Sequence, residues 1–405
     1  MIFGEIKTES SLNGILASSL VLHENKDIIK VKKGTIINEN LINLLLKNDI
    51  KLVTCAKLDK DDVIEDKAVY EISKNILSTE QSNLTVQDPR NGRCNIVSNI
   101  NGLLVFDPEQ LFLVNSITDE IGVASLKPYS YVEKNKIIAS IKAIPFAINK
   151  KVLKKIIKTS NNCFKVLPFQ KKNVHLIQSR NQNTLEKVLE KTVTITKKRL
   201  LNFGITSISE KKCNHEIKSL SLEIQLSIDE NADLILVFGA SAICDKNDVV
   251  PQSLKKNNGK ILRLGMPVEP GNLILLGEIK NAYKTITFIG MPGCARSPKE
   301  NGVDWILWRI LCGLGISNNN INYMGNGGLL WKTFYQIYHN SRCSKSRKAL
   351  KLLKLRTESY KIIRYLEIGI DENVLSLILN SKNIPKNDLI RKNEITFKNL
   401  HVSEI

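Results

Sequence analysis

The sequence lacks any apolar run long enough to cross a membrane. No stretch approaches the roughly 18 consecutive apolar residues that a transmembrane helix needs. Residues 1–10 contain no apolar core of the kind found in a signal peptide. Together these absences predict a cytoplasmic protein that makes no membrane contact.

The sequence also lacks a recognisable metal-binding pattern. Eight cysteines are present, but none form a Cys-x-x-Cys pair and none stand near a histidine at zinc-finger spacing. Isolated cysteines of this kind are typical of reduced, mostly buried thiols in a cytosolic protein. We therefore expect no metal centre held by the protein's own side chains.

A third absence concerns nucleic acid. The net charge is +19, from 59 Lys and Arg against 40 Asp and Glu, which would suit an acidic partner. However, no dense arginine stripe with interleaved aromatic residues occurs before the C-terminal segment. Lys, Asn and Ile are abundant throughout, as an AT-rich genome would produce, and this disfavours nucleic acid as the partner.

The patterning divides the chain into three parts, consistent with about two or three domains for this length. Residues 1–168 mix strand-like and helix-like segments and predict an α+β, β-rich region, with a division near 80–100. Residues 169–328 predict an α/β domain. Residues 329–405 are basic and leucine-rich and predict a helical tail.

The middle part has the βαβαβ order of a parallel sheet. We expect strands at 173–178, 205–208, 233–238 and 284–290, with helices at 185–203, 215–228 and 299–312. His215 and Glu216 open one of these helices, and such a pair is typical of a helix start rather than of catalysis.

The third of these strands ends in a loop of small residues. Gly239, Ala240 and Ser241 follow the strand, and Asp245 and Asp248 come before a segment that can start a helix. Backbone N–H groups at such a turn can bind an anion, and small side chains let it approach. Asp248 equally suits a helix N-cap, and Asp245 an ordinary turn carboxylate.

The fourth strand ends in a cationic turn. Pro292 and Gly293 form the turn, and Arg296, Ser297 and Lys299 follow it. These side chains suit a phosphate group, because an arginine fork can bind two oxygen atoms at once. The simpler interpretation is a solvated helix start, which an arginine in the first turn disfavours. Cys294 lies in the same turn without a histidine nearby, so we expect an inert thiol.

Three ordered segments carry a family resemblance. The loop reads Phe-Gly-Ala-Ser-Ala-Ile-Cys-Asp over 238–245, the middle segment Met-Pro-Val-Glu-Pro-Gly-Asn-Leu over 266–273, and the last Met-Pro-Gly-Cys-Ala-Arg-Ser-Pro over 291–298. This order resembles the molybdopterin-binding domain of the MoeA and MogA families. The residues of these segments are similar to those of the branch in which that domain precedes a molybdenum cofactor cytidylyltransferase.

The resemblance implies a parallel-sheet domain that binds molybdopterin, or its nucleotide form, in bacterial molybdenum cofactor biosynthesis. It implies ligand contacts from the loop residues and from the cationic turn, with Mg²⁺ as an added cofactor held near the phosphate. It also implies a separate transferase or a molybdoenzyme as a protein partner, and it is compatible with a homo-oligomer.

The sequence departs from the family pattern in ways that leave catalysis open. Phe238 and Cys244 replace glycines of the usual loop, and residues 331–405 contain no glycine-rich motif of a nucleotidyltransferase. Two alternatives therefore stand beside the main hypothesis. One is a hydrolase of nucleotide pyrophosphates similar to CinA, although the paired aspartates of that loop are absent. The other is a binding protein that has lost its catalytic function.

Overall fold

The computed structural model describes residues 1–24, 27–77, 80–330, 335–357 and 360–379. The chain separates into two compact units, Met1–Leu330 and Trp331–Ile405. Within the first unit, antiparallel sheets and helices fill residues 1–168, and one large sheet with flanking helices follows. The protein is therefore a mixed α/β protein with several sheets, some of them parallel.

Residues 1–168 form short antiparallel sheets. The strands are β1 (Ile2–Lys7), β2 (Ile15–Leu16), β3 (Leu20–Glu24), β4 (Asp27–Val31), β5 (Leu52–Lys57), β6 (Asp62–Ile64), β7 (Leu84–Val86), β8 (Arg93–Ser98), β9 (Gly102–Val105), β10 (Ile121–Ser125), β11 (Tyr131–Val132), β12 (Ile137–Ala143), β13 (Ala147–Asn149) and β14 (Lys165–Pro168). The helices are α1 (Glu39–Lys47), α2 (Glu65–Ile76), α3 (Pro108–Asn115) and α4 (Lys150–Thr159).

Two separate apolar cores stabilise this part. One is built from side chains between Leu16 and Cys55, and the other from side chains between Val63 and Val166. Polar caps fix the helices that cover them. For example, the Asp107 carboxylate accepts the Glu109 N–H at 3.0 Å at the start of α3, where Pro108 needs no partner for its nitrogen. The domain limits expected at 80–100 and at 168 stay predictions.

The large sheet is formed by six strands. They are β15 (Val174–Arg180), β16 (Ile208–Asn214), β17 (Leu234–Phe238), β18 (Lys260–Leu264), β19 (Leu275–Lys280) and β20 (Thr285–Met291), in the order β16-β15-β17-β20-β19-β18. The helices around it are α5 (Glu186–Leu201), α6 (Ile217–Asp229), α7 (Val249–Lys256), α8 (Gly302–Leu311) and α9 (Asn318–Tyr323). The first four strands in this order are parallel, and β19 and β18 are antiparallel to their neighbours.

Alternating side chains of the central strand β17 divide the core into two layers. Leu236 and Phe238 pack in the cluster that contains side chains of α5 and α8. Ile235 and Val237 pack in the opposite cluster with side chains of α6 and α7. Every side chain of β17 is buried, which explains its continuous apolar sequence. The sheet is thus covered by helices on both faces.

Two expectations about this sheet need correction. The second strand is β16 at Ile208–Asn214 and not 205–208; Ile205 is a buried core residue just before it. The strand was missed because β16 lies at the sheet edge, where half-exposed polar residues are tolerated and no apolar run marks it. The sheet is also mixed rather than wholly parallel, because β18 and β19 form an antiparallel hairpin around the middle segment.

The second unit contains strands as well as helices. Its elements are β21 (Tyr335–Tyr338), α10 (Ser344–Arg356), β22 (Tyr360–Ile363), α11 (Tyr365–Ile368) and α12 (Glu372–Leu379). The strands β21 and β22 pair in parallel, with the basic helix α10 between them in the chain. The expected helical tail is therefore a βαβ arrangement followed by helices. The rest of that prediction, residues 331–334, 358–359 and 380–405, lies outside the described residues.

Candidate functional site

The candidate site lies where the strand order of the sheet reverses. From β15 the chain passes to β16 on one side, and β17 then pairs with β15 on the other side. Parallel strands that diverge in this way leave a crevice at their carboxyl ends, where open α/β sheets bind ligands. The loop after β17 and the turn after β20 both start at this edge, since β17 and β20 are parallel neighbours.

Asp248 anchors the loop after β17. Its Oδ2 atom accepts the backbone N–H groups of Cys244 at 2.6 Å and of Asp245 at 2.9 Å. These two bonds, of which the one from the Asp245 N–H has the larger effect, hold the pKa of the Asp248 carboxyl below its ordinary value. Asp248 occupies the N-cap position of α7, but its side chain binds the preceding loop instead of the helix. Asp245 similarly accepts the Asn247 N–H at 2.7 Å.

The start of the loop is open to a ligand. Gly239 is required there, because a Cβ atom at this position would lie 2.8 Å from the carbonyl oxygen of Ser241. Ser241 is exposed, whereas Ile243 is buried and fixes the loop to the sheet. Within the part of the chain that the structure describes, the backbone N–H groups of Ser241, Ala242 and Ile243 have no hydrogen-bond acceptor. They are therefore the donors available to an anion.

His215 lies beside this loop. Its Nδ1 atom is 2.7 Å from the Ser179 Oγ at the end of β15, and its Nε2 atom is 3.1 Å from the Ser241 Oγ. The Ala240 N–H donates to Nδ1 at 3.4 Å. Burial lowers the pKa of His215, and the Asp248 carboxylate opposes that shift. The lowered pKa favours the neutral ring at neutral pH.

Arg296 joins the cationic turn to the loop. Its guanidinium donates to the Thr192 Oγ1 at 2.5 Å and to the Gly239 carbonyl oxygen at 3.2 Å. The same group lies over the Phe238 ring, 4.6 Å from the ring centroid. Burial lowers the pKa of Arg296 from its ordinary value. The ring of Phe238, a residue that departs from the family pattern, thus packs against this guanidinium in a cation–π contact.

Arg199 and Asp304 hold the turn from behind. The Arg199 Nε donates to the Asp304 Oδ1 at 2.7 Å, and both side chains are buried. The Arg199 guanidinium also donates to the carbonyl oxygens of Ala295 at 2.9 Å and Ser297 at 2.7 Å. Burial raises the pKa of Asp304, and the Arg199 charge acts in the opposite direction. One buried arginine therefore satisfies the carbonyl groups of a turn that contains two prolines.

The middle segment packs against the same turn. Gly271 has a φ of +132°, and a Cβ atom there would lie 2.5 Å from the Gly302 nitrogen. The Gly302 N–H donates to the Pro270 carbonyl oxygen at 2.9 Å. The segment 266–273 therefore contacts the first residue of α8, directly after the cationic turn. All three segments that carry the family resemblance meet around one end of the sheet.

The predicted site residues occupy different positions in this arrangement. Gly239, Ala240 and Ser241 form the start of the loop, and Pro292 and Gly293 form the start of the turn. Ser297 accepts the Lys299 N–H through its hydroxyl at 3.3 Å, and Lys299 is exposed. Burial raises the pKa of the Cys294 thiol, which keeps that thiol protonated at neutral pH. Which of these residues contact a ligand stays a prediction.

Sequence reasoning missed Ser179 on β15, Thr192 and Arg199 on α5, and Asp304 on α8 as residues that shape the site. It interpreted His215 only as part of a helix start. One signal was readable: Asn301 and Asp304 form a capping box, in which the Asp304 Oδ2 accepts the Asn301 N–H at 2.9 Å. No periodicity could show that Arg199 belongs to a buried position, because a charged residue on a helix normally marks the solvent face.

Comparisons with known proteins give limited guidance. No protein-family model matches the sequence. A stretch of 70 residues is 36% identical to the uncharacterized protein YfgD of Escherichia coli strain K12, covering 17% of this chain and 59% of that protein. The chain thus spans less than two thirds of that relative's length, and the printed name assigns no function.

Two solved structures of molybdenum cofactor biosynthesis proteins are similar to this chain. The first, from Pyrococcus furiosus, has 11% identity and a TM-score of 0.21, covering 78% of this chain and 66% of its own. The second is described as a protein of that pathway from Corynebacterium diphtheriae; it has 13% identity and a TM-score of 0.21, covering 34% of this chain and 90% of its own. With TM-scores this low, neither likeness bears on what the site binds.

Two other features are absent from the described residues. None of the helices there combines the length and the apolar character needed to cross a bilayer. Within the same residues, no three His, Cys, Asp or Glu side chains come together as metal ligands.

Proposed function

We propose that this protein binds molybdopterin, or an intermediate that bears a nucleotide, and acts in molybdenum cofactor biosynthesis. The observation that supports this best is the convergence of the three family-like segments. Arg296 connects the turn 291–298 to the loop 238–245 through Gly239, and Pro270 connects the segment 266–273 to Gly302. Segments that are separated in the sequence thus lie together, as a shared ligand would require.

The ligand's phosphate group would bind at the start of the loop. The backbone N–H groups of residues 241–243 supply donors there, and Arg296 and Lys299 supply positive charge from the neighbouring turn. Mg²⁺ would bind, if the ligand recruits it, between phosphate oxygens and the Asp245 or Asp248 carboxylates. The chemistry that these groups support is binding and charge neutralisation.

The test is to identify what the protein retains on purification. The protein is purified from a host that makes molybdopterin and from a matched host that does not. We expect mass spectrometry to find a pterin with a phosphate or nucleotide only in the first preparation. A nucleotide without a pterin would support the hydrolase alternative, and an empty protein from both hosts would contradict the proposal.

Two variants sharpen this test. Arg296→Ala removes the positive charge and the contact with Gly239, so we expect pterin retention to fall by about tenfold to a hundredfold, as for the loss of a hydrogen bond to a charged group. Lys256→Ala removes a cation from the exposed end of α7, away from the crevice, and should retain the pterin fully. Equal losses in both variants would indicate a general charge effect rather than a site.

A further inference from the structure

The position of His215 between two serine hydroxyls gives it a defined proton arrangement. His215 follows β16, Ser179 is the penultimate residue of β15, and Ser241 lies in the loop after β17, so three segments meet at the ring. Ser179 is fully buried, whereas Ser241 is exposed at the crevice. One edge of the imidazole therefore faces the protein interior, and the other faces the side chain that is open to a ligand.

Hydrogen bonding favours one tautomer. The Ala240 N–H can only donate, and its contact with Nδ1 at 3.4 Å requires that atom as an acceptor. The Ser179 hydroxyl can donate to the same atom at 2.7 Å. The single proton of the neutral ring then lies on Nε2, which donates to the Ser241 Oγ at 3.1 Å. The opposite tautomer leaves the Ala240 N–H without its acceptor, although it frees the Ser179 hydroxyl to donate to the Phe238 carbonyl oxygen at 3.5 Å.

The tautomer decides what Ser241 can do. In a nucleophilic serine site the ring accepts the serine proton, and a carboxylate binds the N–H on the other ring edge. Here the ring donates to the serine, and a backbone N–H binds the other edge. The Ser241 oxygen is therefore occupied as an acceptor, and its own proton must point to another group. That geometry suits a hydroxyl that donates to a ligand and does not suit a nucleophile.

We propose that His215 is a positioning residue that directs the Ser241 hydroxyl to donate to an anionic oxygen of the bound ligand. The inference rests on the proposed function in one respect, since it places the hydroxyl beside the phosphate of that ligand. The class of group recognised is a tetrahedral oxyanion, because the N–H groups of residues 241–243 supply further donors at the same loop. Asp248, at the start of α7, is the charged group that acts on the ring within the described residues.

Two substitutions distinguish a role of His215 in positioning Ser241 from a purely structural role in stabilising the fold. His215→Gln keeps an N–H near the Nε2 position but removes the acceptor for Ala240 and Ser179. His215→Asn keeps an acceptor near the Nδ1 position but cannot reach Ser241. We expect the glutamine variant to melt at a lower temperature and to bind the oxyanion within about threefold of the native protein, a difference of at most about 0.7 kcal/mol.

The asparagine variant should show the opposite pattern of melting temperature and oxyanion affinity. Its melting temperature should stay close to the native value, and its affinity should fall as far as that of Ser241→Ala, about tenfold to a hundredfold for a lost bond to a charged group. The double variant His215→Asn with Ser241→Ala should lose no more than Ser241→Ala alone, because both changes remove the same donor. Ser207→Ala, at an exposed position before β16, is the matched control.

The probe is radiolabelled sulfate in equilibrium dialysis with the full chain at neutral pH. Sulfate presents the tetrahedral oxyanion and does not titrate, so protonation of the ligand does not contribute. Absence of sulfate binding by the native protein, or an asparagine variant that binds as well as the glutamine variant, would overturn the inference.

A second measurement needs no ligand. Nitrogen NMR of labelled histidine reports the tautomer, and the His215 signal is assigned among the five histidines by its loss in His215→Gln. We expect the Nε2–H tautomer, and an Nδ1–H tautomer would overturn the inference. Sulfate binding with the expected tautomer, together with no retained pterin, would contradict the proposed function alone.

Discussion

At the residue scale, the carboxylates of Asp245 and Asp248 accept backbone N–H groups of their own loop. The resemblance implies that Asp248 contacts the ligand, whereas its carboxylate accepts two backbone N–H groups of its own loop. Bonds from N–H groups to an ionised carboxylate are stronger than those between neutral groups. Asp248 therefore orders the segment that presents Ser241, whether or not it also contacts a ligand.

This role gives a pH dependence with a defined sign. The folded state lowers the pKa of Asp248, so the stabilisation is present above the ordinary aspartate pKa of about 3.9 and is lost as the pH falls through the lower folded value. We expect Asp248→Asn to melt below the native protein at pH 7, and this difference to narrow at about pH 3.

The matched control is Asp245→Asn, which removes a carboxylate from the same loop without changing the acceptor of the Cys244 and Asp245 amides. Its melting temperature at pH 7 should fall less than that of Asp248→Asn, because the Asp245 carboxylate accepts one backbone N–H and not two. An Asp248→Asn variant whose melting temperature equals the native value at pH 7 would show that the two bonds contribute nothing.

At the scale of elements, the buried pair of Arg199 and Asp304 joins α5 to α8 and supports the turn between β20 and α8. Removing one partner of a buried ion pair leaves the other charge without compensation. We expect Asp304→Ala to lower the free energy of unfolding by about 3–5 kcal/mol, measured by denaturant titration.

The control for this prediction is Glu300→Ala. Glu300 is exposed and accepts the Trp305 Nε1–H at 2.8 Å, so its loss should cost no more than about 1 kcal/mol. Equal effects of the two substitutions would mean that the Arg199 network does not stabilise the turn.

The elements also show how far sequence reasoning reached. The strand β17 and the helices α5 and α6 were predictable, because a continuous apolar run and helical periodicity mark them. The edge strand β16 was not, since its consecutive charged residues Glu210, Lys211 and Lys212 resemble a loop. Likewise, the loop and the turn of the site were located, but Arg199 and Asp304 depend on contacts between residues that lie 105 positions apart.

At the scale of the whole molecule, the division after Leu330 predicts an independent first unit. The Leu330 N–H donates to the Glu269 carbonyl oxygen at 2.7 Å, and Leu329 forms a bridge with Glu269. A chain that ends at Leu330 keeps these contacts with the middle segment of the site. We expect it to fold, with a cooperative melting transition, and to retain the same pterin as the full chain.

A chain that ends at Gly328 is the comparison, because it loses the bond from the Leu330 N–H and keeps only the bond from the Glu269 N–H to the Gly328 carbonyl oxygen. We expect it to be less stable than the longer fragment. Aggregation of the fragment that ends at Leu330 would show that the first unit needs the rest of the chain.

The approach of Gly271 to Gly302 has a mechanical consequence. Where side chains separate two segments, a displacement of one can be absorbed by changes of rotamer in the other. Between these two glycines the main chains touch directly, so nothing compressible lies between them. We therefore expect the segment 266–273 and the first turn of α8 to move together, so that a ligand that shifts one of them also displaces the other.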